Sequence, residues 1–307
     1  MGKQPGKPKS RSLPKRLAQA LETRGWSPVT LLNRADRLLG ARGGARQVGS
    51  AIRYASHDRH LLDIWVPPAK LPKPSGGWPV VVFFYGGGWH SGHRADYGFA
   101  AAAFADAGFL AIVPDYRLAP AVRYPGFLWD AALAMRWVSR NIAGFGGDPA
   151  RIAVSGHSAG AYIGAMLVLD TRWLDGVHLP ADTIKGAALI SGPYDFAPFR
   201  EYRGRAAFAH WPDPVETQPI THVRADAPPI LLLHGQSDRL VYAKNSRVLA
   251  ARLKALGAPV VLNIYPQANH IDPLVALSRP FRSRLPVLED AATFLRSATA
   301  LPTSAAD

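Results

Sequence analysis

The sequence predicts an α/β protein with a mostly parallel central sheet of about eight strands and helices on both faces. Three observations predict it. From Pro79 onward, short apolar runs rich in β-branched residues alternate with longer segments of helical periodicity. The short runs suit strands covered on both faces, and their alternation with helices suits parallel crossovers. In addition, 48% of the 307 residues are hydrophobic, enough to fill a large core within a single α/β domain.

In chain order, residues 1–24 carry Lys3, Lys7, Lys9, Arg11, Lys15, Arg16 and Arg24 against Glu22 alone, with Pro5, Pro8 and Pro14 among them. They read as a disordered basic arm with a short helix around Leu13–Leu21. Residues 25–50 read as an N-terminal helix over 28–40, stopped at Gly40, and a Gly/Arg-rich connector over 41–50. Ile52–Tyr54 and Leu61–Val66 read as short strands of a hairpin, and Pro67–Trp78 as a loop. The remaining predicted strands are Val80–Tyr85, Leu110–Val113, Ile152–Ser155, Ile184–Ile190, Ile230–His234 and Val260–Tyr265. The predicted helices between and after them are Tyr97–Ala107, Leu128–Asn141, Ala159–Asp170, Ala243–Leu256 and Val287–Ser297. The main domain therefore spans 51–298, followed by a tail over 299–307.

One connection breaks the alternation. Residues 192–228 hold Tyr194, Phe196, Phe199, Tyr202, Phe208 and Trp211 with Pro193, Pro198, Pro212, Pro214 and Pro219 among them and no clear period. Long irregular segments inside a domain are usually functional. This one reads either as a lid over a pocket, capping it together with the N-terminal segment, or as a loop whose aromatics pack on the sheet edge.

Composition excludes several function classes. Cysteine is absent, so disulfides, thiolate catalysis and cysteine zinc sites are excluded. No run of about 18 uncharged apolar residues indicates a membrane span. The net charge of +14 is large. Outside the arm it is scattered, and no nucleic-acid-binding motif accompanies it, so it reads as solvated surface. No apolar stretch follows the basic start as in a signal peptide, which makes a cytoplasmic location the default expectation.

The chemistry centres on Ser158. Gly156-His157-Ser158-Ala159-Gly160 is a G-x-S-x-G motif between an apolar strand and a helix, the setting in which a serine is raised on a sharp turn as a nucleophile. A serine hydroxyl needs a base, and the base needs an orienting acid. Asp238 lies in the loop after the Ile230 strand and His270 in the loop after the Val260 strand, at the sheet edge that carries Ser158. Asp195 and Asp272 are rival acids. Of the other histidines, His157 is expected to point away from the serine and His234 to end a buried strand. The strand ending at Tyr85 runs into Gly86-Gly87-Gly88. The amides of Gly87 and Gly88, with that of Ala159, form the expected oxyanion hole.

These motifs, with Pro114-Asp115-Tyr116-Arg117-Leu118-Ala119-Pro120 and Gly147-Asp148-Pro149-Ala150-Arg151-Ile152, resemble the α/β-hydrolase superfamily over residues 50–298. The similarity is to carboxylesterases related to hormone-sensitive lipase and to feruloyl-esterase-like and arylformamidase-like enzymes. It implies a serine hydrolase with Ser158, Asp238 and His270 as its triad, and structural roles for Asp115, Arg117 and Asp130. In that family the first oxyanion glycine usually follows histidine; here it follows Tyr85, whose hydroxyl could hold the loop. The expected reaction is hydrolysis of small-molecule esters through an acyl-enzyme, with no metal or organic cofactor. Trp89, Tyr97, Tyr162, Tyr194 and Phe196 are the expected pocket residues. Cleavage of an aryl or formyl amide, or a non-catalytic binding module, are the alternatives.

Overall fold

The computed structural model describes residues 28–40 and 44–301; the basic arm and the helix expected near Leu13–Leu21 lie outside the described residues. The described residues form eight strands: β1 (Arg46–Arg53), β2 (Leu61–Val66), β3 (Trp78–Phe84), β4 (Leu110–Pro114), β5 (Gly147–His157), β6 (Ile184–Ile190), β7 (Ile230–Gly235) and β8 (Val260–Tyr265). They make one sheet in the order β1-β2-β4-β3-β5-β6-β7-β8. β1 and β2 form the expected antiparallel hairpin, and β2 runs antiparallel to β4. From β4 through β8 every neighbour is parallel.

The helices are α1 (Pro28–Gly40), α2 (Gly98–Asp106), α3 (Gly126–Asn141), α4 (Ala159–Leu169), α5 (Arg172–Asp175), α6 (Tyr202–Phe208), α7 (Lys244–Ala255), α8 (Asp272–Val275) and α9 (Val287–Ala298). α4 follows β5 directly and is buried along its whole length. Its sequence, Ala-Gly-Ala-Tyr-Ile-Gly-Ala-Met-Leu-Val-Leu, has no polar face to offer solvent, the mark of a helix enclosed on all sides. β4 and β7 are buried throughout and β3 at every residue but Trp78, while β8, at the sheet edge, is partly exposed.

Two expectations need correction. The connector expected over 41–50 gives way at Arg46 to β1, which reaches Arg53 rather than covering Ile52–Tyr54. Only Gly49 of β1 is buried. An edge strand held by its ladder to β2, with both faces largely wet, leaves no apolar pattern to read. The segment 192–228 is not devoid of regular structure: it holds α6, whose Gly204, Ala207 and Phe208 are buried.

α1 is tied down by side chains. The Asn33 side-chain oxygen accepts from the Phe99 amide at 2.9 Å, satisfying a donor in the first turn of α2, while its nitrogen donates to the Ala95 carbonyl at 2.6 Å. Asp36 accepts from the Arg279 amide and guanidinium at 2.6 and 2.7 Å.

Candidate active site

Ser158 stands between β5 and α4 with φ 55° and ψ −119°, in a region that a residue with a Cβ rarely occupies. The turn is enforced from both sides. A Cβ on Gly156 would lie 2.5 Å from the Gly160 carbonyl oxygen; one on Gly160 would overlap the Phe84 carbonyl and lie 2.7 Å from that of Tyr85. Strand and helix therefore approach more closely than any residue but glycine permits. The Ser158 amide donates to the Ile190 carbonyl at the end of β6 (2.9 Å), and the Ser158 carbonyl accepts the first helical bond, from Tyr162 (3.1 Å).

The loops after β7 and β8 are stitched together: the Gln236 amide donates to the Tyr265 carbonyl and the Ser237 amide to the Ala268 carbonyl, both at 2.9 Å. This brings the His270 ring between Ser158 and Asp238. His270 Nε2 lies 3.0 Å from Ser158 Oγ, and His270 Nδ1 lies 2.7 Å from Asp238 Oδ2. Asp238 Oδ1 accepts the amides of Leu240 and Val241 at 2.9 and 2.8 Å. Burial alone would raise the Asp238 carboxyl. Hydrogen bonds from His234 and His270, with that of the Val241 amide, outweigh burial and hold it well below the usual carboxylate range. With Asp238 ionised, Nδ1 of His270 carries the proton and Nε2 faces the serine hydroxyl as an acceptor.

Two further histidines enclose this row. His234 is fully buried; its Nε2 is 2.8 Å from the Val241 carbonyl and 3.2 Å from Asp238 Oδ2, and its Nδ1 is 2.7 Å from Ser246 Oγ. A carbonyl and a carboxylate only accept, so Nε2 holds the proton and Ser246 donates to Nδ1. His157, expected to point away, instead places Nε2 2.9 Å from the His270 carbonyl, with its ring 4.8 Å from the His270 ring. Burial first, and then the neighbouring His270, push its pKa down to about 3, so it is neutral at ordinary pH.

The loop after β3 passes next to the serine. A Cβ at Gly86 would stand 3.2 Å from Ser158 Cβ. Gly87, Gly88 and Trp89 have φ of 122°, 62° and 58°. Among the described residues, the Gly87 and Gly88 amides donate to no protein acceptor, and the Ala159 amide opens α4. The loop is fixed from behind. The Tyr85 hydroxyl donates to Asp115 Oδ1 at 2.7 Å and accepts from Arg59 at 2.8 Å. Its ring lies between Tyr97 and Tyr116, with centroids 5.1 and 4.7 Å away. Asp115 also accepts the Arg94 amide at 2.7 Å and its guanidinium at 2.6 Å. Tyr85 thus anchors the loop where the resembling family has histidine. Asp130, fully buried, takes the Arg117 amide at 2.8 Å and lies 2.9 Å from His60 Nε2.

With this geometry in place, comparison with known proteins is decisive on family. The BD-FAE family model matches residues 62–253, more than half of the chain. The chain belongs to the BD-FAE family. The match spans Ser158, Asp238 and the loop glycines and ends before β8 and His270. Esterase LipC of Mycobacterium tuberculosis is 32% identical over 224 residues, covering 67% of this chain and 55% of LipC. Esterase LipQ of the same organism is 30% identical over 281 residues, 83% of this chain and 66% of LipQ. The chain therefore spans little more than half to two thirds of these relatives. The solved esterase Est2 of Thermogutta terrifontis is 27% identical with a TM-score of 0.66, covering 86% of this chain and 95% of that one. The architecture is the α/β-hydrolase fold.

In this BD-FAE chain the remaining expected site residues divide. Phe196 is partly exposed and stacks on the buried Trp89, 5.8 Å between centroids. Tyr97, Tyr162 and Tyr194, expected in the pocket, are core residues: Tyr97 backs Tyr85, Tyr162 donates to the Thr217 carbonyl at 2.8 Å, and Tyr194 is fully buried. Their nearness to the motifs in sequence said nothing of which way they face. Of the rival acids, Asp195 is exposed, with its amide held by Asn245 at 2.9 Å, and Asp272 accepts the Asn269 amide of its own turn at 2.8 Å. His234, which ends a buried strand as expected, also touches Asp238, and Arg94 touches Asp115; sequence reasoning foresaw neither contact. His234 left one signal, its place four residues before Asp238 at the end of a buried strand. Among the described residues of this BD-FAE chain, no helix is long and apolar enough to cross a membrane.

Proposed function

We propose that the protein hydrolyses carboxylic esters of small molecules through a Ser158–His270–Asp238 triad. His270 Nε2 takes the proton from Ser158 Oγ as the oxygen attacks the ester carbonyl. The amides of Gly87, Gly88 and Ala159 receive the negative charge on the tetrahedral intermediate. His270, now an imidazolium balanced by Asp238, passes the proton to the leaving alcohol, and an acyl-serine remains. Water, deprotonated by His270, attacks the acyl carbon and releases the acid. The observation that carries this reading is the continuous row from Asp238 Oδ2 through both nitrogens of His270 to Ser158 Oγ, with contacts of 2.7 and 3.0 Å. The esterase names of LipC, LipQ and Est2 support the same reaction class.

The test is steady-state hydrolysis of p-nitrophenyl esters from acetate to laurate, wild type beside Ser158→Ala. The expected result is turnover by the wild type and a loss of at least about 10³-fold in kcat in the variant, with unchanged circular dichroism. Undiminished turnover by Ser158→Ala would refute the assignment.

A further inference from the structure

We propose that Arg203 determines specificity at this site by selecting esters that carry a carboxylate; the proposal rests on the serine-esterase reading above. Arg203 lies on α6, which Phe208 anchors to the site: its ring sits 4.7 Å from Trp89 and 5.4 Å from Tyr162. From that helix the Arg203 stem crosses the loop glycine Gly88, where a Cβ would stand 2.6 Å from Arg203 Cδ and 3.3 Å from its Cβ. Gly88 is one of the two loop residues whose free amides form the proposed oxyanion hole. An ester carbonyl seated on those amides brings the rest of its molecule past the Arg203 head.

The guanidinium is available. Four other arginines near the site are committed to carboxylates: Arg94 and Arg59 to Asp115, Arg117 to Asp130, and Arg172 to Asp170 and Glu216. Arg203 is exposed, and no side chain or carbonyl among the described residues pairs with it. The acids closest in sequence, Asp195 and Glu201, are exposed and leave it unpaired. Beside α6, an open cavity of about 400 Å³ is lined by Arg123 and Arg205 with Tyr202 and His210, so two further guanidinium charges add to the positive field. Phe196 and Phe199, 5.6 Å apart and partly exposed, add an apolar wall on the same segment. An apolar wall ending in an unpaired guanidinium suits a short carbon chain ending in a carboxylate, which the planar fork can hold through two parallel hydrogen bonds. A stem that merely covers Gly88 would act on charged and neutral substrates alike.

The experiment compares kcat/KM for two pairs of esters with the full chain. Ethyl hydrogen adipate against ethyl hexanoate puts the carboxylate on the acyl side; 3-acetoxybenzoate against phenyl acetate puts it on the alcohol side. Arg203→Met keeps the stem and removes the charge. The expected result is a fall of about tenfold or more in the carboxylate-to-neutral ratio of one pair, a larger fall in Arg203→Glu, and partial retention in Arg203→Lys. Added salt lowers the wild-type ratio in the same direction. Matching thermal melts confirm that the variants are folded. A ratio unmoved by Arg203→Met in both pairs, or a wild type that turns over neither carboxylate ester, overturns the proposal and leaves the esterase reading standing. A wild type that cleaves none of the four esters refutes both.

Discussion

The serine turn and the oxyanion-side loop lie against each other, yet they are held by opposite means. The turn is fixed sterically by five consecutive residues, with Gly156 and Gly160 allowing backbone to press on backbone. The loop is fixed electrostatically from a distance: Tyr85 and the residues behind it converge on Asp115 from positions 59, 85 and 94. A steric device is compact in sequence and intolerant of added atoms. A charged network is dispersed in sequence and intolerant of a lost partner, because the remaining charges stay buried.

The contrast can be broken most severely at Gly160. Gly160→Ala adds a methyl group where the Phe84 carbonyl already stands, so β3 and α4 must part and Ser158 loses its place. Loss of esterase activity together with a marked drop in melting temperature is expected. Gly144→Ala is the control: a Cβ there meets nothing within 4 Å, and its stability should stay within about 0.5 kcal/mol of wild type. Equal effects of the two substitutions would argue against the steric account.

On the loop side, Asp115→Ala removes the shared acceptor of Tyr85, Arg59 and Arg94. Arg94, 9% exposed, keeps its charge with Asp63 as its one remaining carboxylate, and destabilisation of about 3 kcal/mol is expected in urea unfolding. Activity should fall more than stability at room temperature requires, because the amides of Gly87 and Gly88 lose their backing. A variant with wild-type kcat would show that the loop holds itself.

The smallest expected effect sharpens the comparison beside His270, where His157 packs. His157 has a folded pKa of about 3 against an unfolded value near 6.5. Above pH 6.5 it is neutral in both states and its contribution is intact. As pH falls below 6.5 the unfolded chain binds the proton first, and stability is lost progressively towards pH 3. Between pH 6.5 and 4.5 this amounts to about 2–3 kcal/mol. His157→Gln should flatten that part of the stability–pH curve, measured by denaturant unfolding at each pH. An unchanged slope would place the acid sensitivity elsewhere.

Much of the fold was legible in the sequence because its signals are local. Ile184–Ile190, Leu61–Val66 and Val260–Tyr265 are strands at the predicted bounds, since a β-branched apolar run flanked by turns has few other fates. β1 was shortened because it is wet on both faces. α6 went unseen because its buried residues, Gly204, Ala207 and Phe208, are too few, with Phe208 the one large side chain among them, to make a helical stripe. In the site, the order of serine, acid and histidine after β5, β7 and β8 was enough to nominate Ser158, Asp238 and His270, whose side chains lie in one hydrogen-bonded row. It was not enough to orient the tyrosines, or to see His157 turn towards His270.

What the sequence by itself determined is therefore the alternating α/β plan, the glycine-framed serine turn and the three residues gathered at the ends of parallel strands. These follow from short-range sterics and from periodicity, which any stretch of chain carries with it. Only the tertiary structure decided which polar groups share a proton and which aromatic rings face inward. It also decided that Arg203 crosses Gly88 while Arg59, Arg94, Arg117 and Arg172 are held by carboxylates. Those choices are made between residues tens to more than a hundred positions apart, where side chains of the same type compete for one partner and packing alone selects among them.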